Sequence, residues 1–205
     1  MRNRTLGVLL FPGFELLDVF GPLEMFGLLR GVVQIVMVGE KVGPIASAAG
    51  PESLATADFA SCPRLDLVLV PGGFGTRKEV ANEALLSWLR SVAVTAEVVA
   101  SVCTGSALLA KAGLLDGRRA TTNKMAFAWV AEQGPRVRWV KQARWIDEGD
   151  RMTSAGVSAG IDMSLALIER LYDSEVAERV AQGAEYEWHR DPAWDPFAAI
   201  YGLQD

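Results

Sequence analysis

Histidine and cysteine are nearly missing from this 205-residue chain, which has one of the first, His189, and two of the second, Cys62 and Cys103. A closed zinc site takes about four Cys or His ligands, so zinc fingers are excluded, while an all-carboxylate site for a hard metal ion stays arithmetically open. Two cysteines cannot form a disulfide framework and point to a reducing, cytoplasmic setting. Any Cys–His or Ser–His nucleophilic pair would have to draw on His189 near the C-terminus. Basic charge is also short, at 20 Lys+Arg against 25 Asp+Glu. The basic residues are scattered, so the electrostatic footprint of a nucleic-acid binder is lacking. No run reaches the roughly 18 apolar residues that a membrane span requires. The opening MRNRTLGVLLFPGFELLD has the basic start and apolar run of a signal peptide, but Pro12, Gly13, Glu15 and Asp18 interrupt it. No small-residue cleavage site follows, and a buried first strand is the expectation.

Half of the residues are hydrophobic, enough for a sizeable core and unlike a disordered chain. Short apolar runs alternate with segments of helical period, the pattern of a parallel sheet with crossover helices. Strands are expected at 6–11, 32–38, 65–70 and 98–102, apolar on both faces as central strands are. Shorter strands are expected at 137–140, 143–146 and 151–154, the last two joined by a hairpin turn at 147–150. Helices are expected at 82–95, 106–112, 125–133, 161–172 and 174–187. Segment 14–29 contains Gly21 and Pro22, and proline is tolerated in a first turn but not in a helix interior. It should therefore form a short turn, a break, and a second helix near Pro22. Gly113 and Gly134 stand where helix ends favour positive φ, and Asp173 and Ser174 are placed to cap the last long helix. One α/β domain over 1–187 with an aromatic tail over 188–205 is the economical organisation.

Three segments carry chemistry. In EVVASVCTGSALLAKAGLL, residues 97–115, a buried strand runs into Cys103-Thr104-Gly105-Ser106 and then a helix, the layout of a nucleophile elbow. A thiol facing the free N–H groups of a helix start has its pKa lowered from about 8.5 into the ~3.5–7.5 range. The bland alternative is that Cys103 is a small buried hydrophobe. In LVLVPGGFG, residues 67–75, Gly72 and Gly73 end a strand and offer backbone N–H donors for a developing anion; alone, such a segment is often only a turn. In LFPGFELLDVFGP, residues 10–22, Glu15 reads as a solvent-facing acid, while Asp18 stands among Leu16, Leu17, Val19 and Phe20. A carboxylate in that setting is either a cap or functional, and burial raises its pKa toward general acid–base range. His189 reads as a surface or interface residue and Cys62 as structural. The tail aromatics Trp188, Trp194, Phe197 and Tyr201 fit a dimer contact, a lid, or packing back on the same subunit.

LLFPGFELLDVFGP, LDLVLVPGGFG, SVCTGSALLAKAGLLDGRRATT and TSAGVSAGIDMSLALIE together resemble the ThiJ/PfpI superfamily, of class I glutamine amidotransferase-like fold, and within it the isocyanide hydratases. The resemblance spans residues 5 to about 187. It implies a flavodoxin-like three-layer α/β sandwich with a mostly parallel sheet, usually a homodimer, acting on a small molecule without a cofactor. By position it makes Cys103 the nucleophile with Thr104 beside it and Asp18 the acidic partner. Gly72, Gly73, Gly105 and Asn123 become substrate-binding positions. Protease-like relatives carry histidine after the cysteine, glyoxalase- and deglycase-like relatives use glutamate as the acid, and many relatives have histidine at position 123. Thr104, Asp18 and Asn123 depart from those patterns. The expected activity is hydration of an isocyanide to an N-substituted formamide through a thioimidate on Cys103. The alternatives are glyoxalase or deglycase activity on α-oxoaldehydes, or a non-catalytic small-molecule or redox sensor. Similar sensing domains are fused to AraC-type helix-turn-helix regions, for which the roughly 18 residues after the last expected helix leave no room.

Overall fold

The computed structural model describes residues 2–203. In chain order the elements begin with β1 (Arg4–Leu9), α1 (Leu16–Gly27), β2 (Val33–Gly39), β3 (Gly43–Ala46), β4 (Glu52–Ala55), β5 (Ala57–Asp58) and β6 (Leu67–Val70). They continue with α2 (Thr76–Glu79), α3 (Glu83–Val92), β7 (Val98–Ser101), α4 (Gly105–Lys111), β8 (Arg119–Ala120), α5 (Phe127–Gln133) and β9 (Arg138–Trp139). Last come β10 (Trp145–Asp147), β11 (Arg151–Ser154), α6 (Ala159–Leu171), α7 (Ser174–Gly183) and α8 (Phe197–Ile200).

One seven-stranded sheet organises the molecule, in the order β10-β11-β7-β6-β1-β2-β5. All of its pairings are parallel except the β10–β11 hairpin. With helices on its faces this is the flavodoxin-like sandwich expected from the alternation of apolar runs and helical segments. The four anticipated central strands are present, and the residues of β6 and β7 are all buried. From β1 the chain steps outward to β2, then returns to β6 on the opposite side of β1. Such a switch point opens a crevice at the carboxyl ends of the strands, where ligands bind in open α/β sheets. The segments after β1, β6 and β7 all end there.

Several local expectations are corrected. Segment 14–29 is not broken at Pro22: α1 runs through it as one helix. Proline removes only the N–H that would reach the Asp18 carbonyl, and packing supplies compensation. Gly21 and Pro22 are buried against α6, where a side chain at Gly21 would come within 2.8 Å of Ile161. The last long helix stops at Gly183 instead of 187. Glu185 takes a left-handed conformation (φ 49°), and the Tyr186 N–H returns to the Ala181 carbonyl at 2.9 Å, closing the helix in a Schellman-type turn. Gly113 has the positive φ expected (79°), whereas Gly134 does not (φ −137°). Gly134 is instead a close-packing position, since a Cβ there would sit 2.7 Å from that of Ala110. The β3–β4 hairpin was not anticipated. Its residues are mostly exposed or half-buried, so no apolar alternation marks it. Among the described residues, no helix is long and apolar enough to cross a membrane.

The tail packs back on its own chain. Lys124 and Asp195 form a buried ion pair at 3.0 Å, the Arg144 N–H donates to the Pro192 carbonyl, and Arg144 lies over the Trp194 ring. Asp162 pairs with Arg144 and accepts from the Tyr186 hydroxyl and the His189 backbone N–H. The His189 ring stacks on Trp194, with 4.3 Å between centroids, far along the chain from any nucleophile.

Candidate active site

Cys103 follows β7 after the single residue Val102 and adopts φ 56°. A non-glycine residue in this region is strained, and nucleophile elbows hold such strain because the surrounding structure fixes it. The fixing contacts are specific. The Cys103 N–H donates to Ala155 at 3.2 Å, and its carbonyl accepts from the hydroxyls of Thr122 at 2.8 Å and Ser106 at 3.2 Å. Gly105, the next turn of the elbow, lies so close to β6 that a Cβ on it would be 2.3 Å from the Val70 carbonyl oxygen. Cys103 is therefore a buried elbow cysteine at a strand–helix junction, with 6% of its surface exposed.

The thiol pKa is not lowered, contrary to the expectation from a helix start. Burial and the neighbouring Asp18 carboxylate push it up to about 12. The N–H groups of Thr104 and Val157, with the Thr104 hydroxyl, act in the opposite direction but are outweighed. Helix α4 spans only seven residues, so its dipole is short. The resting group is a thiol.

Asp18 is completely buried in the first turn of α1. One oxygen, Oδ2, accepts from the Gly72 N–H at 2.8 Å, and Oδ1 is buried without a hydrogen-bond partner. Burial pushes its pKa up to about 7, Glu15 adds to the rise, and the Gly72 N–H and Cys103 thiol oppose it. Asp18 does not cap α1, because the cap position is Glu15 and its side chain makes no capping bond. A carboxyl that titrates near neutrality beside a buried thiol is arranged for proton exchange with it.

The two glycines act differently from the anion donors anticipated. The Gly72 N–H is taken by Asp18, and the Gly73 N–H by the Thr104 hydroxyl at 3.0 Å. Gly72 has to be glycine on steric grounds: a Cβ there would stand 2.6 Å from Thr104 N and 2.9 Å from Asp18 Oδ2. The strand end after β6 is thus a clamp that holds the acid and the residue after the nucleophile in fixed relation.

Some contributors carried no clear signal in the sequence. Thr76, at the start of α2, donates to the Gly73 carbonyl at 2.7 Å, and its hydroxyl lies 3.2 Å from that of Thr104. Val157 holds φ 48°, an outlier for a β-branched residue, and turns its N–H toward the sulfur. Only the flanking Gly156 hinted at a special backbone there. Asn123 follows Thr122 into the same region; its Oδ1 accepts from the Ala126 N–H at 3.0 Å, and its amide nitrogen lies over Gly156. Among the described residues no group of acids, histidines and cysteines is arranged to hold a metal ion. Cys62 is half-buried, 3.4 Å from the Pro63 carbonyl, and outside this cluster.

Residues 4–170, which include the elbow, the buried acid and the glycine clamp, match the DJ-1/PfpI family. The chain belongs to the DJ-1/PfpI family. Among its relatives in that family is the isonitrile hydratase of Pseudomonas putida, 38% identical over 181 residues that make up 88% of this chain and 78% of the relative. The HTH-type transcriptional regulator CdhR of Pseudomonas aeruginosa is 30% identical over 85% of this chain, which spans 52% of the regulator's length. A crystal structure of a ThiJ/PfpI family protein from Pseudomonas syringae superposes with a TM-score of 0.83 at 34% identity, covering 95% of this chain and 79% of that one. The DJ-1/PfpI family includes cysteine-dependent enzymes, and the fold of this member is the family's.

Proposed function

We propose that this protein is a cysteine-dependent hydratase that converts an isocyanide into an N-substituted formamide, with no cofactor. The observation that carries the reading is the buried Asp18, titrating near 7, clamped by Gly72 beside the elbow thiol of Cys103. The 38% identity to the isonitrile hydratase of Pseudomonas putida supports the choice of substrate class.

Because the thiol rests protonated, the first step moves its proton. Asp18 accepts it as the sulfur attacks the terminal carbon of R–NC, and then delivers it to that carbon, giving the thioimidate R–N=CH–S–Cys103. Water adds to the same carbon; one of its protons reaches the nitrogen through Asp18, leaving R–NH–CH(OH)–S–Cys103. The C–S bond then breaks as the hydroxyl proton returns to sulfur, and R–NH–CHO departs. The sum is one isocyanide and one water to one formamide. Thr104 holds the turn through Gly73, Gly72 holds the acid, Gly105 lets the elbow approach the Val70 carbonyl, and Asn123 is the position proposed to contact substrate. Asp18 rather than His189 handles the protons of both addition steps.

The test is turnover of an isocyanide and of methylglyoxal, side by side, by the wild type and by Cys103→Ala. Isocyanide hydration by the wild type and none by the variant is the expected result. Full activity in Cys103→Ala, or methylglyoxal turnover with isocyanides inert, would overturn the reading. A small-molecule sensing role is the second reading, favoured by the similarity to a transcriptional regulator; binding of substrate analogues to the wild type with no turnover of either compound selects it.

A further inference from the structure

A cavity of about 630 Å³ opens between the turn after β1, the β2–β3 loop and the α2–α3 junction. None of the residues of the cysteine site line it. Its size falls within the range of small-molecule sites, and its position is at the carboxyl ends of β1 and β2. Phe11, Ile45, Phe59 and Leu85 supply apolar wall, with Phe11 and Leu85 almost fully buried.

The polar part of the lining includes one buried acid. Glu79 is 4% exposed, and Glu40 lies across from it; one carboxamide, Asn82 Nδ2, donates to both, at 2.7 and 2.8 Å. Asn82 Oδ1 is occupied as the cap of α3, accepting from the Leu85 N–H, which fixes the orientation of the amide. Among the described residues no lysine or arginine forms an ion pair with either acid. Glu40 is exposed, as are Lys41 and Lys78, which also line the cavity; Glu79 is the buried charge. A carboxyl group buried beside a second one, with a neutral amide as its sole partner, lacks the counter-charge that buried acids ordinarily have. The cavity beside it has room for a ligand that supplies one.

We propose that this cavity is a binding site for a small organic ammonium ion, the cationic head held by Glu79 and Glu40 and the hydrocarbon body against Phe11, Phe59 and Leu85. The site is separate from Cys103, although α2 joins the two: Thr76 at its start bonds the Gly73 clamp, and Glu79 at its end faces the cavity.

Calorimetric titration of the purified protein with phenethylammonium, 2-phenylethanol and 3-phenylpropanoate tests this directly. The ammonium compound is expected to bind at least tenfold more tightly than the isosteric alcohol, with the carboxylate weakest. Glu79→Gln should weaken the ammonium compound at least tenfold, and Cys103→Ala should leave its affinity unchanged. Equal affinity for the alcohol, no binding up to the solubility limit, or loss of binding in Cys103→Ala would each overturn the proposal. Should Glu79→Gln fail to fold, backbone amide shifts in the wild type decide: shifts confined to 79–85 and 40–45 support the site, and shifts centred on 102–105 refute it.

Discussion

Asp18 shows how a single side chain costs the fold something that the site requires. Its pKa is raised in the folded state from 3.8 to about 7, chiefly by burial. The folded protein therefore holds a proton that the unfolded chain releases, and stability falls as pH rises from about 4 through about 7. Asp18→Asn removes the buried charge while keeping an acceptor for the Gly72 N–H. It should be more stable than the wild type at pH 8 by on the order of 2–4 kcal/mol, and melt at a higher temperature, with the gap closing below pH 4. Thermal melts across that range check the sign. The same substitution should reduce isocyanide hydration by about 10²–10⁴-fold, the usual worth of a general acid–base. In the wild type, kcat/KM should rise with pH through about 7, because the unprotonated carboxylate is the form that takes the thiol proton. The rise at Asp18 was legible in the sequence from its apolar neighbours, whereas the rise at Cys103 was not. The elbow was visible from VCTGS after an apolar run, but the sign of the thiol's shift depends on burial and on Asp18, which lies 85 residues earlier in the chain.

At the scale of elements, capping and close approach set what the sequence tolerates. Asp173 accepts from the Val176 N–H at 2.8 Å, so the cap read from the sequence is formed. Asp173→Ala should destabilise the protein by about 1 kcal/mol, measurable in urea titrations. Gly105→Ala would drive a methyl group into the Val70 backbone carbonyl, which has no side-chain freedom with which to move aside. A loss of at least ~3 kcal/mol is expected, and activity should fall with the displaced elbow. Where element boundaries were misread, tertiary contact had overruled local preference. Pro22 stays within α1 because its flank is buried against α6, and Glu185 ends α7 without a glycine because a Schellman closure places it in the left-handed region.

For the whole molecule, the tail is anchored by charge. Asp162 is fully buried and serves Arg144, the Tyr186 hydroxyl and the His189 N–H together. Removing it as Asp162→Ala strands a buried guanidinium and two donors, and breaking such a pair typically costs about 3–5 kcal/mol. Limited proteolysis should then cut within 188–203 well before the wild type is cut. The aromatic content of the tail was plain in the sequence, but the ion pairs that seat it join residues far apart, such as Lys124 with Asp195, and no local pattern announces them.

The sequence by itself determined the parallel α/β architecture, the elbow at Cys103 and the presence of an acid at position 18, because apolar period, turn glycines and an isolated carboxylate are local features. Tertiary structure decided the rest. It turned the Gly72 and Gly73 donors inward onto Asp18 and Thr104, recruited Thr76 and Val157 to the site, and kept the thiol protonated. The reason is physical: burial, electrostatic coupling and backbone strain are properties of neighbours in space, and β1, β6 and β7 become neighbours only when the sheet closes at its switch point.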